Sequence, residues 1–225
     1  MSINNWPTSE RPRERLQSHG PAALSNAELL AILLGSGTKG RPVMALSRDL
    51  LGHFGGISGL LNADQDQLLA IKGLGKAKVA ALTAIQELNK RSKRENLREA
   101  TPLTSSNAAS DYLCAELGHA KQEIFWALFL NAQHQVIASE ALAKGTLDSA
   151  SIYPREVLKT CLRHHAAAVI FAHNHPSGSL IASEADKAIT RRLQNALELV
   201  DIRVLDHIII AGNQSISMAD MGLLR

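Results

Sequence analysis

Apolar residues recur at helical spacing through most of the first hundred residues. The run ELLAILLG begins within a Ser-Asn-Ala-Glu sequence at residues 25–28, which has the pattern of a helix capping box, and it ends at the glycines of GSG. A second helix is predicted after Pro42, through VMALSRDLLGHF, and it ends at the glycine pair 55–56. These elements predict a small all-α domain in the N-terminal part of the chain.

The segment QLLAIKGLGKAKVAALTAIQELNKR predicts two further helices joined by a tight turn, which is the helix-hairpin-helix pattern. Gly73 and Gly75 let the backbone approach a phosphate group closely, and the N–H groups that open the second helix point toward it. Lys72, Lys76 and Lys78 add positive charge, so these five residues are candidate DNA contacts. The alternatives are that the glycines only turn two packed helices, or that the helix pair serves as a protein–protein module.

The pattern changes in the second half of the chain, where short apolar strands alternate with helices. Two strands are predicted around a turn at 131–135, followed by a helix that starts at Pro154, a buried strand AAAVIFA, a helix SEADKAITRRLQNALELV and a strand IRVLDHIIIAG. This order predicts an α/β domain with a mixed central sheet. The polar stretch at 93–106 has no apolar period and predicts a linker between domains at 1–98 and 104–225.

Charge and composition add two expectations to the predicted fold, one about partners and one about location. The formal net charge is +3, and residues 1–100 carry 14 Lys and Arg against 9 Asp and Glu, whereas the remainder carries 10 against 12. The basic half suits an anionic partner such as nucleic acid, although a solvated surface has the same balance. No apolar run is long enough to span a bilayer, and the first residues lack the apolar core of a signal peptide. We therefore expect a cytoplasmic protein without a membrane partner.

The stretch AHNHPSGSLIASEAD, residues 172–186, leads from a predicted buried strand into a predicted helix. Residues two apart in extended chain point to the same side, so His173 and His175 can face one point. Ser183 begins the helix and places Asp186 in its first turn, where the carboxylate can join the imidazoles. Two His nitrogens and one carboxylate oxygen form a three-ligand zinc set whose fourth position is open to water. The alternative is that Ser-Glu-Ala-Asp is a capping box with no metal nearby.

Other histidines carry weaker signals. The pair 164–165 ends a predicted helix, where an imidazolium suits the helix dipole. His207 follows Asp206 in a predicted strand, which favours a hydrogen-bonded core pair over a second metal site.

The spacing H-N-H-P-x6-S-x2-D, from His173 to Asp186, resembles the JAMM motif of MPN (JAB) metallopeptidase domains. The whole chain resembles the RadC family, long labelled DNA-repair proteins. This resemblance extends over ERPRERLQSHGPAALSNAELLAILLGSGTKG, AIKGLGKAK, SIYPREVLK, AHNHPSG and IRVLDHIIIAG. It implies an MPN domain, which is cytidine-deaminase-like in fold, behind a helix-hairpin-helix domain. It also implies one zinc ion per chain, bound by His173, His175 and Asp186.

The resemblance further implies catalytic roles and a reaction. Ser183 matches the serine that steadies the oxyanion, and Glu123 best matches the upstream glutamate that acts as general base, with Glu140 as its rival and a surface salt bridge as the alternative for both. The implied reaction is zinc-assisted hydrolysis of an amide or isopeptide bond in a peptide or protein substrate. A second hypothesis is a DNA-binding DNA-repair accessory protein with a structural or vestigial metal site. A nuclease is a third option, disfavoured because no extra acidic ligands lie beside the histidines.

Overall fold

The computed structural model of the chain describes residues 6–99, 106–145 and 152–224. The chain divides into two compact units, residues 1–89 and 90–225. The first unit is helical and the second combines helices with a β-sheet, which confirms the predicted fold class. Within the described ranges, no helix has the length and apolar character needed to cross a bilayer. The cytoplasmic location stays a prediction.

The first unit is built from short helices around an apolar core. These helices are α1 (Pro12–His19), α2 (Asn26–Leu34), α3 (Val43–His53), α4 (Ile57–Asn62), α5 (Gln65–Ala70) and the first part of α6 (Lys76–Glu99). Ser25 caps α2 and Asp64 caps α5, each in a capping box. The core is formed by buried leucines from most of these helices, including Leu30, Leu34, Leu46, Leu50, Leu60, Leu68 and Leu82. The predicted all-α character of this part of the chain is confirmed.

The predicted linker begins within a helix. Residues 93–99 continue α6, and residues 100–105 lie outside the described ranges. Lys, Arg and Glu have high helix propensity, so a polar helix can persist without an apolar period. Arg94 also forms an ion pair with Glu116 at 3.6 Å, which holds this end of the helix. The predicted limits of the two domains stay predictions.

Among the residues described, the second unit contains a mixed sheet of five strands. The strands are β1 (Ile124–Leu130), β2 (Val136–Lys144), β3 (Ala168–Asn174), β4 (Arg203–Ala211) and β5 (Gln214–Ser217), in the order β2-β1-β3-β4-β5. Strands β3 and β4 are parallel and the other neighbours are antiparallel, as the predicted mixed sheet requires. The sequence pattern misses β5, because four residues are too few for an alternation to stand out.

In the part of this unit that the structure describes, three helices cover the two faces of the sheet: α7 (Ser106–Leu117), α8 (Pro154–Arg163) and α9 (Glu184–Glu198). Ile170 and Ala172 of β3 pack on the face with α7, whereas Val169 and Phe171 pack on the face with α8 and α9. Because side chains alternate along a strand, the next residue on the α8 and α9 face is His173. The fold therefore directs this imidazole toward the helix that carries the candidate carboxylate.

Candidate metal centre

The three residues predicted to bind a metal converge where β3 ends and α9 begins. Nε2 of His173 lies 2.8 Å from Nε2 of His175 and 3.1 Å from Oδ1 of Asp186. Nε2 of His175 lies 3.6 Å from Oδ2 of the same carboxylate. Ligand atoms around a tetrahedral zinc ion lie about 3.3 Å apart, since each is about 2.0 Å from the metal. The three side chains therefore form a candidate metal site with spacing suited to zinc.

The end of β3 directs both imidazoles to the same point. His173 is fully buried and pairs in register with Phe125 of β1. The amide of His175 donates to the carbonyl of Ile210 at 2.7 Å, so pairing with β4 continues one residue beyond β3. Extended backbone at both positions places the two rings on one side of the chain, as the sequence predicts. The side chain of His175 is 12% exposed, so the site reaches solvent on its side.

Asp186 takes part in a capping box and also faces the histidines. Its Oδ2 accepts hydrogen bonds from the amide and the hydroxyl of Ser183, each at 2.7 Å, and its own amide donates to that hydroxyl at 3.1 Å. Its Oδ1 remains directed at His173. The two alternatives that the sequence leaves open for this residue are therefore compatible, because the cap uses one oxygen and orients the other.

The carboxyl group of Asp186 is ionised in the folded chain. Burial by itself raises the pKa of Asp186, but the hydrogen bond and charge of His173 and the hydrogen bonds from Ser183 outweigh it. The pKa of this carboxyl consequently lies well below its ordinary value. An ionised, nearly buried carboxylate beside two imidazoles supplies the anionic ligand that a divalent cation requires.

Glu123 lies beside the candidate metal site, immediately before β1. A cavity of about 260 Å³ is lined by Glu123 together with His175, Ser183 and Asp186. The remaining lining residues come mostly from the loop that follows β3, namely Ser177, Ser179, Ile181 and Ala185. The structure thus brings the predicted base, the predicted oxyanion donor and two predicted ligands to one opening.

Glu140, the rival candidate for the general base, has other partners. Its Oε1 forms an ion pair with Arg163, and its Oε2 lies 3.5 Å from Nε2 of His164. In the sheet register it stands opposite Ala127, within β2. This placement matches the salt-bridge alternative for Glu140 and leaves Glu123 as the glutamate that lines the cavity.

Asn174 is a site residue that the sequence analysis misses. Its side chain is 2% exposed and lies between the two histidine ligands in sequence. Oδ1 accepts a hydrogen bond from the amide of Ile124 at 2.8 Å, while Nδ2 donates to the carbonyls of Ala120 and Gln122 at 3.1 and 3.0 Å. These bonds fix the backbone on both sides of Glu123 to the end of β3. The available signal was a polar residue at an inward position of a buried strand.

His207 is buried and hydrogen-bonded, as predicted, but its side chain does not pair with that of Asp206. Nε2 of His207 lies 2.8 Å from Nδ1 of His173, and Nδ1 lies 2.5 Å from the hydroxyl of Thr190. Asp206 instead accepts from the hydroxyl of Ser217 and from the backbone amide of His207. Neighbours in a strand point to opposite faces, which explains why the predicted partner is wrong. Burial lowers the pKa of His207 well below its ordinary value.

The five candidate DNA contacts of the first unit lie around the turn between α5 and α6. Gly73 has φ of 106°, and a Cβ at this position would lie 3.0 Å from the side chain of Thr38, so glycine is required. Lys72 and Lys76 are exposed, as is Gly75 at the start of α6. These four positions keep the arrangement that the sequence predicts, and DNA binding by them stays a prediction.

Lys78 differs from the other two lysines of this turn. Its ammonium donates to the carbonyl of Gly37 at 2.9 Å, so it is held against the loop between α2 and α3. A half-buried ammonium with a backbone acceptor serves packing within the unit. Lys72 and Lys76 are therefore the lysines of the turn whose side chains are exposed to a partner.

Two known protein families match the two parts of the chain. Residues 103–223 match the RadC-like JAB domain, and residues 3–80 match the UPF0758 N-terminal domain. The unit that contains the sheet and the His-His-Asp group is thus a JAB domain, a class whose superfamily includes metal-dependent hydrolases.

Curated relatives match the chain over its full length. It is 51% identical over 224 residues to a UPF0758 protein of Marinobacter nauticus, with 100% of each chain covered. It is 50% identical over 222 residues to a UPF0758 protein of Saccharophagus degradans and 51% identical over 222 residues to one of Stutzerimonas stutzeri, with 99% of each chain covered. The chain belongs to the RadC family of UPF0758 proteins.

Proposed function

We propose that the chain is a zinc-dependent hydrolase of the JAMM type, acting on a peptide or isopeptide bond. The observation that carries the proposal is the convergence of two imidazole Nε2 atoms and an ionised carboxylate at the end of β3. The other polar atoms of His173, His175 and Asp186 already have hydrogen-bond partners within the chain. Three electron-pair donors are thereby left facing one point, which is the requirement for a bound cation.

Each residue of the site has a distinct task in this hydrolysis. Zinc held by His173, His175 and Asp186 would lower the pKa of a water molecule and polarise the scissile carbonyl. Glu123 accepts a proton from the attacking water and returns it to the leaving amine. Ser183 donates to the oxyanion that develops on the carbonyl.

The proposed role of Ser183 requires its hydroxyl to change partner. The hydroxyl donates to Oδ2 of Asp186 at 2.7 Å, so its proton is already used within the capping box. Rotation of the hydroxyl toward the cavity frees the proton for the oxyanion, while the amide of Ser183 keeps its own bond to Asp186 at 2.7 Å. The helix cap is therefore weakened but not lost when the serine acts.

The first test is metal content, measured by plasma mass spectrometry on the untagged full chain. We expect about one zinc per chain in the wild type and little in His175→Ala or Asp186→Asn, because a three-ligand site does not survive loss of a ligand. The matched control is Glu184→Gln, an exposed residue two positions before Asp186 in the first turn of α9. We expect this variant to bind zinc like the wild type. A folded wild type that holds no zinc after zinc addition and dialysis would overturn the proposal.

The second test separates catalysis from metal binding. A screen of peptide and isopeptide substrates is run with the wild type and with Glu123→Gln. We expect hydrolysis by the wild type alone, with zinc content equal in both, because Glu123 is proposed to transfer protons and not to bind the metal. Hydrolysis that survives Glu123→Gln would remove this residue from the mechanism. Zinc binding without hydrolysis of any substrate would favour a structural metal site.

A second candidate function is DNA binding by the turn between α5 and α6. The observation that favours it is the exposure of Lys72 and Lys76 on either side of a glycine turn that opens a 24-residue helix. We expect salt-dependent binding to duplex DNA in fluorescence anisotropy, weakened severalfold by Lys76→Glu. The control is Lys159→Glu, which makes an equal change of charge at an exposed position of α8. Equal binding by both variants would count against this surface.

A further inference from the structure

A chain of hydrogen bonds runs from the backbone of Asp186 to the imidazole of His173. The hydroxyl of Thr190 lies 2.6 Å from the carbonyl oxygen of Asp186 and 2.5 Å from Nδ1 of His207. Nε2 of His207 lies 2.8 Å from Nδ1 of His173. Thr190 is 1% exposed and both histidines are fully buried, so solvent does not supply alternative partners.

The direction of every bond in this chain follows from the carbonyl at its start. A carbonyl oxygen only accepts, so Thr190 donates its single hydroxyl proton to Asp186. The hydroxyl must then accept on its other side, which places a proton on Nδ1 of His207. A buried neutral imidazole carries one proton, so Nε2 of His207 accepts from an N–H at Nδ1 of His173. In the neutral form of the ring, which a metal ligand requires, Nε2 of His173 is left with its lone pair.

His175 reaches the same tautomer through a separate contact. Its Nδ1 lies 2.8 Å from the carbonyl oxygen of Ser179, which can only accept, so Nδ1 carries the proton. The two Nε2 lone pairs therefore face each other at 2.8 Å beside the carboxylate of Asp186. Electron-pair donors at this separation repel one another unless a cation lies between them.

We infer that Thr190 and His207 are positioning residues for the proposed metal site, holding His173 in the tautomer whose Nε2 lone pair faces His175 and Asp186. The inference rests on the proposed function, because this tautomer matters only where Nε2 binds a metal. The chain of bonds starts at the backbone of Asp186 and ends at the imidazole beside its carboxylate. Two ligands of the site thus orient each other through β4 and the first turns of α9.

Substitution of Thr190 by valine reverses the donor and acceptor roles in the hydrogen bond between His207 and His173. Thr190→Val keeps the shape of the side chain but removes the acceptor for Nδ1 of His207. The proton of His207 then moves to Nε2, which donates to Nδ1 of His173 and forces the proton of that ring onto its Nε2. A proton on Nε2 of His173 occupies the lone pair that the metal needs. Thr190→Ser keeps the hydroxyl and is the matched control.

Zinc affinity of the full chain, measured by competition with a chromophoric chelator, tests the inference. We expect Thr190→Val to bind zinc about 10- to 100-fold more weakly than the wild type, the range for loss of a hydrogen-bond partner behind a metal ligand. Thr190→Ser should stay within about threefold of the wild type. His207→Leu should behave like the valine variant, and His207→Gln should lose less because an amide can both accept and donate.

Long-range ¹H–¹⁵N spectra of the metal-free protein give a readout that packing alone does not move. We expect the proton of His173 at Nδ1 in the wild type and in Thr190→Ser, and at Nε2 in Thr190→Val. Equal zinc affinity and an unchanged His173 tautomer in the serine and valine variants would overturn the inference and leave the proposed function intact. Absence of zinc binding in the wild type would overturn both. If Thr190→Val does not fold, the His207→Leu and His207→Gln pair makes the same comparison.

Discussion

Helices α2 and α9 begin with the same capping box, but the two carboxylates meet different partners. In α2, the amide and the hydroxyl of Ser25 donate to Oε2 of Glu28 at 2.9 and 2.7 Å. The other oxygen, Oε1, accepts from the guanidinium of Arg15 at 2.8 Å. Glu28 is 8% exposed, so this box is a nearly buried, fully paired structural element.

In α9, the amide and hydroxyl of Ser183 donate to one oxygen of Asp186 in the same way. The second oxygen faces Nε2 of His173 at 3.1 Å, with Nε2 of His175 nearby. Asp186 is 3% exposed, so this carboxylate is as buried as its counterpart in α2. The local patterns are equivalent, and the difference lies only in what the remaining oxygen faces.

The partner of the second carboxylate oxygen explains why the α2 box is structural and the α9 box belongs to a candidate site. A guanidinium carries a permanent charge and only donates, so Arg15 completes the pairing of Glu28 from within the chain. In the proposed metal-binding tautomer the imidazoles bring acceptors to Asp186, so a bound cation would complete its pairing. A buried group whose pairing needs an external ion is a stronger sign of function than a capping pattern.

The largest expected contrast is the response to zinc. Zinc at about a thousandfold excess over its dissociation constant should stabilise the folded chain by about 4 kcal/mol, and chelator should remove this gain. Asp186→Asn should abolish the response, whereas Glu28→Gln should keep it, because only the α9 box faces the metal site. Thermal unfolding with zinc or with chelator measures this difference. Equal responses in the two variants would show that the α9 capping box has no special part in zinc binding.

Removal of either capping serine is expected to lower stability by a similar amount, but only the α9 variant is expected to lose zinc affinity as well. Ser25→Ala and Ser183→Ala should each lower the free energy of unfolding by about 1 kcal/mol, as expected for loss of a helix cap. Ser183→Ala should in addition weaken zinc binding about tenfold, since the serine orients the ligand Asp186. Urea unfolding and chelator competition provide the two measurements. A loss of zinc affinity in Ser25→Ala would contradict the conclusion that the α2 capping box is purely structural.

Loss of the Arg15 guanidinium beside Glu28 is expected to have a smaller effect on stability. Arg15→Met should lower the free energy of unfolding by about 1 kcal/mol or less, because the guanidinium is partly exposed. Zinc content should not change, since Arg15 and the candidate metal ligands belong to different compact units of the chain. Urea unfolding and metal analysis of the same preparation test both statements, and a fall in zinc content would argue for an indirect connection.

The smallest expected effect is the acid dependence of the metal-free protein. The pKa of Glu28 is lowered, chiefly by the hydrogen bond from the backbone amide of Ser25. Burial raises this pKa, but the hydrogen bond from the Ser25 hydroxyl and the charge of Arg15 lower it further. A lowered pKa stabilises the fold in full above the unfolded value of about 4.3, and this contribution is lost as pH falls through the folded value. Urea unfolding should therefore show a decline in stability below about pH 4 that Glu28→Gln reduces. An unchanged acid dependence in that variant would contradict the role of Glu28.

Local patterns predicted much of the fold and the main members of the site. Helical spacing predicted the all-α part, alternating elements predicted the mixed sheet, and strand periodicity brought His173 and His175 to one side of β3. The sequence pattern did not indicate that α6 continues through residues 93–99, because their charged residues have high helix propensity but no apolar period. The partner assigned to His207 failed because adjacent residues of a strand face opposite sides.

Local sequence patterns were enough to predict where most helices and strands form, that Ser183 and Asp186 begin a helix, and which three side chains can share a metal. These features depend on residues only a few positions apart, whose geometry is set by the helical or extended backbone. Tertiary structure alone decided that Glu28 meets Arg15 while Asp186 meets His173, and that Thr190 reaches His207. Such contacts join residues 13 to 17 positions apart, and they exist only once α1 has packed on α2 and α9 has packed beside β3 and β4.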